Sequence, residues 1–296
     1  MADAKRRNAR RVALGLTGLA AFWLCGVWPP PGWWRSHWPR ETAMMRLRAD
    51  CADQSTCPPV RPTPLTAISP VLQRMVIIGE DSRFRTHHGI DFTEITDAMG
   101  LDRGAGGWGV VRAVWRRRNR LRGASTITQQ VAKNLYLSPS RNPLRKVKEA
   151  LTAVRLEAAL PKDRILELYL NLAELGPGIW GAAAAAHAYY GVPASRLTEE
   201  QAASLAATLP HPRTSNPRDR PGRMLARRRL ILARYHGFDV HIPPVDELEL
   251  DSLPLPPITW PLIPPVFDRL LDSIRVPVPG DSTEDTTSAR RTEAPR

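Results

Sequence analysis

Four consecutive segments between residues 142 and 209 carry strong helix signals and constrain the fold more than any other feature of the sequence. The first segment begins with Asn142 and Pro143, two residue types that are favoured at a helix N-terminus. Its apolar residues then recur at spacings of three and four, which predicts a buried stripe along one face of the helix. The stripe consists of Leu144, Val147, Leu151, Val154 and Ala158.

The other three segments have clear ends. Residues 162–175 are followed by Gly-Pro-Gly, and residues 179–190 are followed by Gly191. The fourth segment opens with Thr198 and Gln201, a spacing typical of a capping box at a helix N-terminus. No run of alternating apolar and polar residues predicts a strand. The sequence therefore predicts a mainly α fold.

Near the N-terminus, 17 uncharged residues from Val12 to Trp28 follow the basic run from Lys5 to Arg11. An apolar stretch of about this length can just span a bilayer, and basic flanking residues stay on the cytoplasmic side. No small-residue cleavage site follows, so we expect an uncleaved transmembrane helix rather than a signal peptide. The chain is then expected to cross the membrane once, with a cytoplasmic N-terminus and with everything after residue 35 outside the cytoplasm.

Composition divides the chain into four parts. The segment after the anchor is rich in proline, the central part carries the helix signals, and the C-terminal part is rich in Pro, Asp, Glu, Ser and Thr, which is typical of disorder. The predicted parts are a basic tail with the anchor (1–34), a linker (35–64), one domain (65–239) and a largely disordered tail (240–296).

The formal net charge is +13, which favours anionic partners. An extracytoplasmic domain makes nucleic acid an unsuitable partner and leaves anionic lipid and phosphorylated substrates. The same compartment allows disulfides to persist, so Cys51 and Cys57 either close a small loop or remain independent thiols.

The stretch VIIGEDSRFRTHHGID, residues 76–91, places Glu80 and Asp81 directly after an apolar run. A carboxylate held against an apolar surface is suited to proton transfer. The two neighbouring histidines lack the spacing of a helical zinc motif, which argues against a metal site. We expect His87 and Asp91 to hydrogen-bond within a loop and to stabilise it.

A second stretch, residues 122–151, combines uncharged hydrogen-bonding side chains with cations. Amides and hydroxyls suit a sugar, and Lys and Arg suit phosphate oxygens, so the composition fits a phosphorylated sugar. Glu149 lies one helical turn after Arg145. From the residues alone, this pair is better interpreted as an ordinary exposed ion pair.

Five segments, in order, resemble the motif blocks of the family 51 peptidoglycan glycosyltransferases: EDSRFRTHHGID, RGASTITQQVAKNLYL, RKVKEAL, KDRILELYLNLAELGPGIWGAAAAAHAYYG and LTEEQAASLAATLPHPRTSNP. The resemblance implies a lysozyme-like domain that polymerises lipid II into β-1,4-linked glycan by an inverting mechanism and releases polyprenyl pyrophosphate. The resemblance also implies a lipid-linked glycan as the donor and a divalent cation (Mg²⁺ or Mn²⁺). It places the catalytic domain on the periplasmic side of the inner (cytoplasmic) membrane, with cell-wall synthesis or division proteins as partners.

The same resemblance implies roles for individual residues. Glu80 matches the general base and Glu149 matches a second catalytic glutamate. The positions that match substrate-binding residues are Gln130, Lys133, Arg141, Arg145 and Lys146. The positions that match supporting residues are Asp81, Phe84, His87, Ser125 and Thr126.

Two other functions are compatible with parts of this pattern. A muramidase of the same architecture would use one carboxylic acid to cut glycan, but the cationic cluster fits a pyrophosphate leaving group better. A catalytically inactive, membrane-anchored scaffold would be expected to lack Glu80 or Glu149, and both are present. No S-x-x-K motif occurs in the chain, so we expect the monofunctional form without transpeptidase activity.

Overall fold

The structure of the protein, a computed structural model, describes residues 26–47, 61–99, 125–137 and 143–243, with scattered positions between 6 and 22. All of them belong to the first of two units into which the chain divides, Met1–Leu253. Arg141, Asn142, Cys51, Cys57 and the predicted tail beyond Pro243 lie outside the described residues.

From residue 61 onward, the described part of the chain is built from eight α-helices and one short hairpin. The helices are α1 (Pro70–Glu80), α2 (Phe92–Met99), α3 (Ile127–Tyr136), α4 (Pro143–Ala159), α5 (Lys162–Leu172), α6 (Ala182–Tyr190), α7 (Glu199–Thr208) and α8 (Gly222–Tyr235). The strands are β1 (Glu174–Gly176) and β2 (Ile179–Trp180), and short 3-10 helices cover Pro31–Arg35, Met45–Leu47, Leu65–Ala67 and Ala194–Arg196. The predicted mainly α fold is confirmed.

Helix α5 is the centre of the core. Most of its side chains are buried, including Ile165, Leu168 and Tyr169, as expected for a helix that is enclosed on most sides. Helix α3 packs against α4 and α5, while α1 packs against α7 and α8. The end of α1 and the start of α3 are thereby brought to the same side of the core.

Capping boxes begin two of the helices. The predicted one at Thr198 and Gln201 is confirmed at the start of α7. A second, formed by Thr126 and Gln129 at the start of α3, was not predicted. In both, the cap hydroxyl accepts the N3 backbone N–H and the glutamine side chain accepts the cap N–H, which satisfies donors that the helix itself leaves open.

The predicted buried stripe of α4 is wrong. Leu144, Val147, Leu151 and Val154 are 37–55% exposed, and Ala158 is exposed as well. The side of α4 that faces the protein carries Glu149, Thr152, Ala153 and Leu156 instead. Periodicity identifies an apolar face, but it does not tell on which side the rest of the protein lies.

The hairpin between α5 and α6 was also missed. Residues 162–175 were expected to form one helix, yet α5 ends at Leu172 and β1 follows. The two strands pair antiparallel around Pro177 and Gly178, and Gly178 adopts a φ of 69°. Strands of three and two residues are too short to produce a recognisable alternation in the sequence.

None of the helices in the described part of the chain combines the length and the apolar content that crossing a bilayer requires. The predicted anchor, Val12–Trp28, is described at only some of its positions.

Candidate active site

Glu80 is the last residue of α1, and its side chain is only 9% exposed. Its Oε2 accepts a hydrogen bond of 2.9 Å from Gln130 Nε2 on α3. Its Oε1 lies 3.4 Å from Arg227 Nη2 on α8, and the same Arg227 group donates to the Gly79 carbonyl. The carboxylate predicted to act as a base is therefore held at both oxygens.

Tyr169 fixes the orientation of Gln130. Its hydroxyl donates to Gln130 Oε1 at 3.2 Å, so the amide nitrogen is turned toward Glu80. Complete burial raises the pKa of the Tyr169 hydroxyl well above its usual value, and the neighbouring Glu80 charge adds to this effect. Tyr169 therefore stays protonated and keeps donating over the whole physiological pH range.

Asp81 connects the end of α1 to the start of α3. Its Oδ2 accepts the Ile127 backbone N–H at 2.9 Å, and both of its oxygens lie 3.0 Å from His87 Nε2. Because the Gly89 N–H donates to His87 Nδ1, the proton of a neutral His87 sits on Nε2 and points to Asp81. These contacts connect the loop after Glu80 to the first turn of α3.

The expected loop hydrogen bonds of His87 and Asp91 are both present, with different partners. His87 bonds to Asp81, whereas Asp91 accepts from Arg83 Nε at 2.7 Å and from the Glu94 backbone N–H at 3.0 Å. Phe84, the remaining aromatic of this loop, is fully buried, and Lys162 Nζ lies 4.4 Å from its ring centroid. The loop after Glu80 is thus stabilised by an ion pair, by hydrogen bonds and by the burial of Phe84.

Gly89 brings this loop directly onto α4. Its φ is +89°, and a Cβ at this position would lie 2.9 Å from Ala153 C and from Val154 N. Its carbonyl accepts a hydrogen bond of 2.7 Å from Thr126 Oγ1, the N-cap of α3. One glycine therefore spaces the Glu80 loop, α3 and α4 relative to one another.

We expect Gly89→Ala to lower the free energy of unfolding by about 2–4 kcal/mol, because the new Cβ has both an unfavourable φ and a backbone in its path. Urea unfolding measures the loss. The matched control is Gly191→Ala, where φ is +67° but no atom lies within 4 Å. An equal loss in both variants would show that the contact with α4 is unimportant.

Glu149 is the centre of the second group of predicted residues. It is buried on the inner side of α4, and its two oxygens accept hydrogen bonds from Arg145 Nη1 at 2.8 Å and Lys146 Nζ at 2.5 Å. Lys146 Nζ also donates to Ser125 Oγ at 2.7 Å, just before α3. The interpretation as an ordinary exposed ion pair is therefore wrong, since the carboxylate is inside the protein.

Lys133, on α3, interacts electrostatically with both Glu80 and Glu149. Burial is the largest influence on its ammonium and lowers its pKa below the usual value, Glu149 and Glu80 act in the opposite direction, and Lys146 and Arg145 lower it further. Both predicted catalytic glutamates are thus within electrostatic reach of one buried amine. The two sets of contacts, one on Glu80 and one on Glu149, are therefore coupled electrostatically through Lys133.

We expect Lys133→Met to raise the free energy of unfolding while removing activity. The lowered pKa means that the folded protein binds the Lys133 proton less readily than the unfolded chain does. The stability of the wild type therefore increases as the pH rises from the lowered folded value toward 10.5, and the advantage of the variant shrinks over that window. Urea unfolding of both proteins at pH 7 and pH 10 measures the difference in their free energies of unfolding. A Lys133→Met variant that is less stable than the wild type at pH 7 would contradict the expectation.

Two residues of the site were missed by the sequence analysis, Tyr169 and Arg227. Arg227 interrupts the buried apolar face of α8 between Met224 and Ile231. A charged residue at a core position of a helix is a usable signal, because it needs a buried partner. The sequence gives no comparable signal for Tyr169, because tyrosines are common in buried helices. Arg141, predicted to bind substrate, lies outside the described residues.

One cluster has the composition of a metal site. Ligand atoms of Asp81, His87 and Asp91 lie within 4.8 Å of one another. All three are, however, engaged within the protein. Asp81 accepts from the Ile127 N–H and from His87, His87 Nδ1 accepts from the Gly89 N–H, and Asp91 accepts from Arg83 and from the Glu94 N–H. Glu149 is likewise engaged by Arg145 and Lys146. In the described residues, these carboxylates do not fit a metal site formed by the protein alone.

A sequence profile described as Transglycosylase matches residues 56–236. The chain belongs to the transglycosylase family. The predicted resemblance is confirmed, and so is the prediction that the chain is an enzyme of the peptidoglycan glycosyltransferase type. Glu80, Gln130, Lys133, Glu149 and Arg227 all lie within the matched region of this transglycosylase.

Individual relatives agree with the profile. A biosynthetic peptidoglycan transglycosylase of Azoarcus sp. (strain BH72) is 42% identical over 207 residues, which is 69% of this chain and 84% of the relative. A protein of the same name from Rhodospirillum centenum is 41% identical over 233 residues, 77% of this chain and 90% of the relative. One from Bordetella pertussis is 47% identical over 150 residues, 51% of this chain and 59% of the relative.

Proposed function

We propose that this transglycosylase polymerises lipid II into β-1,4-linked glycan strands, with inversion at the donor sugar and release of polyprenyl pyrophosphate. The observation that carries the proposal is the division of the site into two parts. One nearly buried carboxylate, Glu80, is held by neutral and cationic donors, and a separate cluster of cations surrounds Glu149. A base and an anion-binding cluster are what a transfer from a pyrophosphate-linked sugar requires.

Glu80 acts as the general base in this proposal. It removes the proton from the 4-hydroxyl of the acceptor's GlcNAc as that oxygen attacks C1 of the donor sugar from the face opposite the pyrophosphate, giving the β link. Gln130 and Arg227 hold the carboxylate in place through one hydrogen bond to each oxygen. Such preorganisation lowers the cost of bringing the base to the reacting hydroxyl.

The cationic cluster stabilises the leaving group. The C1–O bond to the pyrophosphate breaks and its electron pair stays on the phosphate oxygen, so the need is charge neutralisation rather than a proton. Lys133, Arg145 and Lys146 supply positive charge, and Glu149 orients the last two by direct hydrogen bonds. The lysozyme-like fold of the domain, which the resemblance implies, is part of the same proposal.

In this proposal, a divalent cation, Mg²⁺ or Mn²⁺, binds together with the pyrophosphate of the substrate. Mg²⁺ is commonly bound by substrate phosphates together with one or two carboxylates. Because Glu149 already accepts hydrogen bonds from two cations, the phosphate oxygens would supply most of the ligands, and bound metal would add neutralising charge there.

We further propose that the enzyme is anchored in the inner membrane by residues 12–28, with its catalytic domain in the periplasm. The exposed apolar face of α4 supports this proposal: Leu144, Val147, Leu151 and Val154 share a helix with Arg145, Lys146 and Glu149. An exposed apolar stripe of this length is unusual on a soluble protein. Facing the outer leaflet, it would place the cationic cluster at the level of the lipid pyrophosphate.

The test is to incubate the purified, detergent-solubilised full chain with lipid II, and separately with preformed glycan, with and without Mg²⁺. New glycan strands that are resolved by electrophoresis are the expected product. Fragments from preformed glycan would favour the muramidase instead. Binding of lipid II with no product of either kind would favour the scaffold. A rate that does not change when Mg²⁺ is withdrawn by a chelator would contradict the divalent cation.

A further inference from the structure

The segment that precedes the family region packs onto the catalytic domain. Trp34 is 6% exposed, and its Nε1 donates to the Tyr136 hydroxyl at 2.6 Å. Met45 is also buried, and the Ala43 backbone N–H donates to the Asn134 carbonyl at 3.0 Å. These residues were predicted to be part of the anchor or of a linker, and the family profile begins only at residue 56.

Arg164 on α5 holds the backbone of this segment. Its Nε donates to the Trp34 carbonyl at 2.8 Å and its Nη2 to the His37 carbonyl at 2.9 Å. Its guanidinium lies 3.9 Å over the Trp38 ring, and its Nη1 donates to Glu167 at 2.6 Å. All three nitrogens of this planar guanidinium donate hydrogen bonds, so it fixes both the position and the direction of the backbone that it binds.

The same face of α5 binds the chain again further along. Glu167 Oε1 accepts the Leu65 backbone N–H at 2.9 Å. Asn171 exchanges two hydrogen bonds with the backbone of Thr63, at 2.7 and 2.9 Å. Residues 164, 167 and 171 are spaced by three and four and lie on one side of the helix. The N-terminal segment is thus bound to α5 both before residue 48 and after residue 60.

Two features make this attachment relevant to catalysis. Tyr136 and Asn134 belong to α3, the helix that carries Gln130 and Lys133, so the entering segment contacts the scaffold of the site. Between the predicted anchor and Trp33, the chain runs through Pro29, Pro30 and Pro31. A proline run is a semi-rigid spacer rather than a flexible tether.

We propose that residues 29–47, the strut, hold the catalytic cleft at a fixed height and orientation above the membrane, with Arg164 as a positioning residue. The inference rests on the proposed function and on the proposed anchor. A domain on a flexible linker samples many orientations, of which few present the cleft to a headgroup fixed in the bilayer. A strut that is bound to the domain excludes most of the unproductive orientations. It therefore raises the rate of reaction with a membrane-embedded substrate without contacting that substrate.

Two variants test the strut. Inserting Gly-Ser-Gly-Ser between Pro30 and Pro31 breaks the stiff connection and leaves the contacts of Arg164 in place, whereas Arg164→Ala loosens the contacts themselves. The matched controls are the same insertion after Gly237, which is exposed beyond α8, and Arg223→Ala, an exposed arginine on α8. Polymerisation of lipid II is measured in proteoliposomes, where enzyme and substrate share a bilayer, and in detergent micelles, where both reorient freely.

We expect both test variants to lose about tenfold or more of the liposome rate, to stay within about twofold of wild type in detergent, and the controls to change neither. Unchanged liposome rates, or equal losses in the two settings, would overturn the strut. Hydrogen exchange gives a readout independent of activity: residues 31–47 should be protected in the wild type and in the insertion variant, and unprotected in Arg164→Ala. Unprotected residues 31–47 in the wild type would also overturn it. A wild type that makes no glycan in either setting but protects this segment contradicts the proposed function and leaves the docked strut supported.

Discussion

Glu80→Gln is expected to lower the rate of lipid II polymerisation by about 10³-fold, within the range found for loss of a general base. The variant keeps the size of the side chain and can still accept from Gln130, but it cannot take up the proton of the attacking hydroxyl. The fold should be retained, because Gln130, Arg227 and Tyr169 remain around it. The measurement is the initial rate of glycan formation from purified lipid II.

Glu94→Gln is the matched control. Glu94 follows Glu80 by 14 positions, pairs with Arg83, and has a side chain that is 52% exposed. It should polymerise at the wild-type rate. If Glu80→Gln retained more than a tenth of the wild-type rate with an unchanged melting temperature, Glu80 would not be the base, and the mechanism proposed above would have to place that role elsewhere.

Glu149→Gln is expected to lower both the rate, by about 10²-fold, and the free energy of unfolding, by about 1–3 kcal/mol. Removing the buried charge leaves Arg145, Lys146 and Lys133 without their common counter-charge. The stability loss is placed below that of a fully buried pair because the Lys146 side chain is 43% exposed and water screens it. Urea unfolding and the polymerisation assay measure the two effects.

The double variant Glu149→Gln/Lys133→Met separates the two effects. Removing Lys133 takes away one of the cations that repel each other, so part of the lost stability should return, whereas activity should not. The two residues interact, and their effects are therefore not additive. A Glu149→Gln enzyme that is as stable as wild type would show that the carboxylate does not compensate the cluster.

The structure brings together several residues that the sequence analysis named, but the contacts between them could not be predicted. Glu80, Gln130, Lys133 and Glu149 stand in recognisable motifs, and the structure places all four in one region. The donors that orient Glu80 come from 50 and 147 residues further along the chain. Nothing local in the sequence connects Arg227 or Tyr169 to that carboxylate, because such pairs are set by how α3, α5 and α8 pack.

The sequence by itself determined the mainly α fold, the capping box that begins α7, and membership of the transglycosylase family. These depend on residue types and on their order and spacing, which are the same in the unfolded chain as in the folded one. Only the tertiary structure decided that the apolar stripe of α4 faces outward, that Glu149 is buried, and that Arg164 binds the entering chain. Each of these depends on which elements meet, and the free energy of packing that fixes those neighbours is a property of the whole domain.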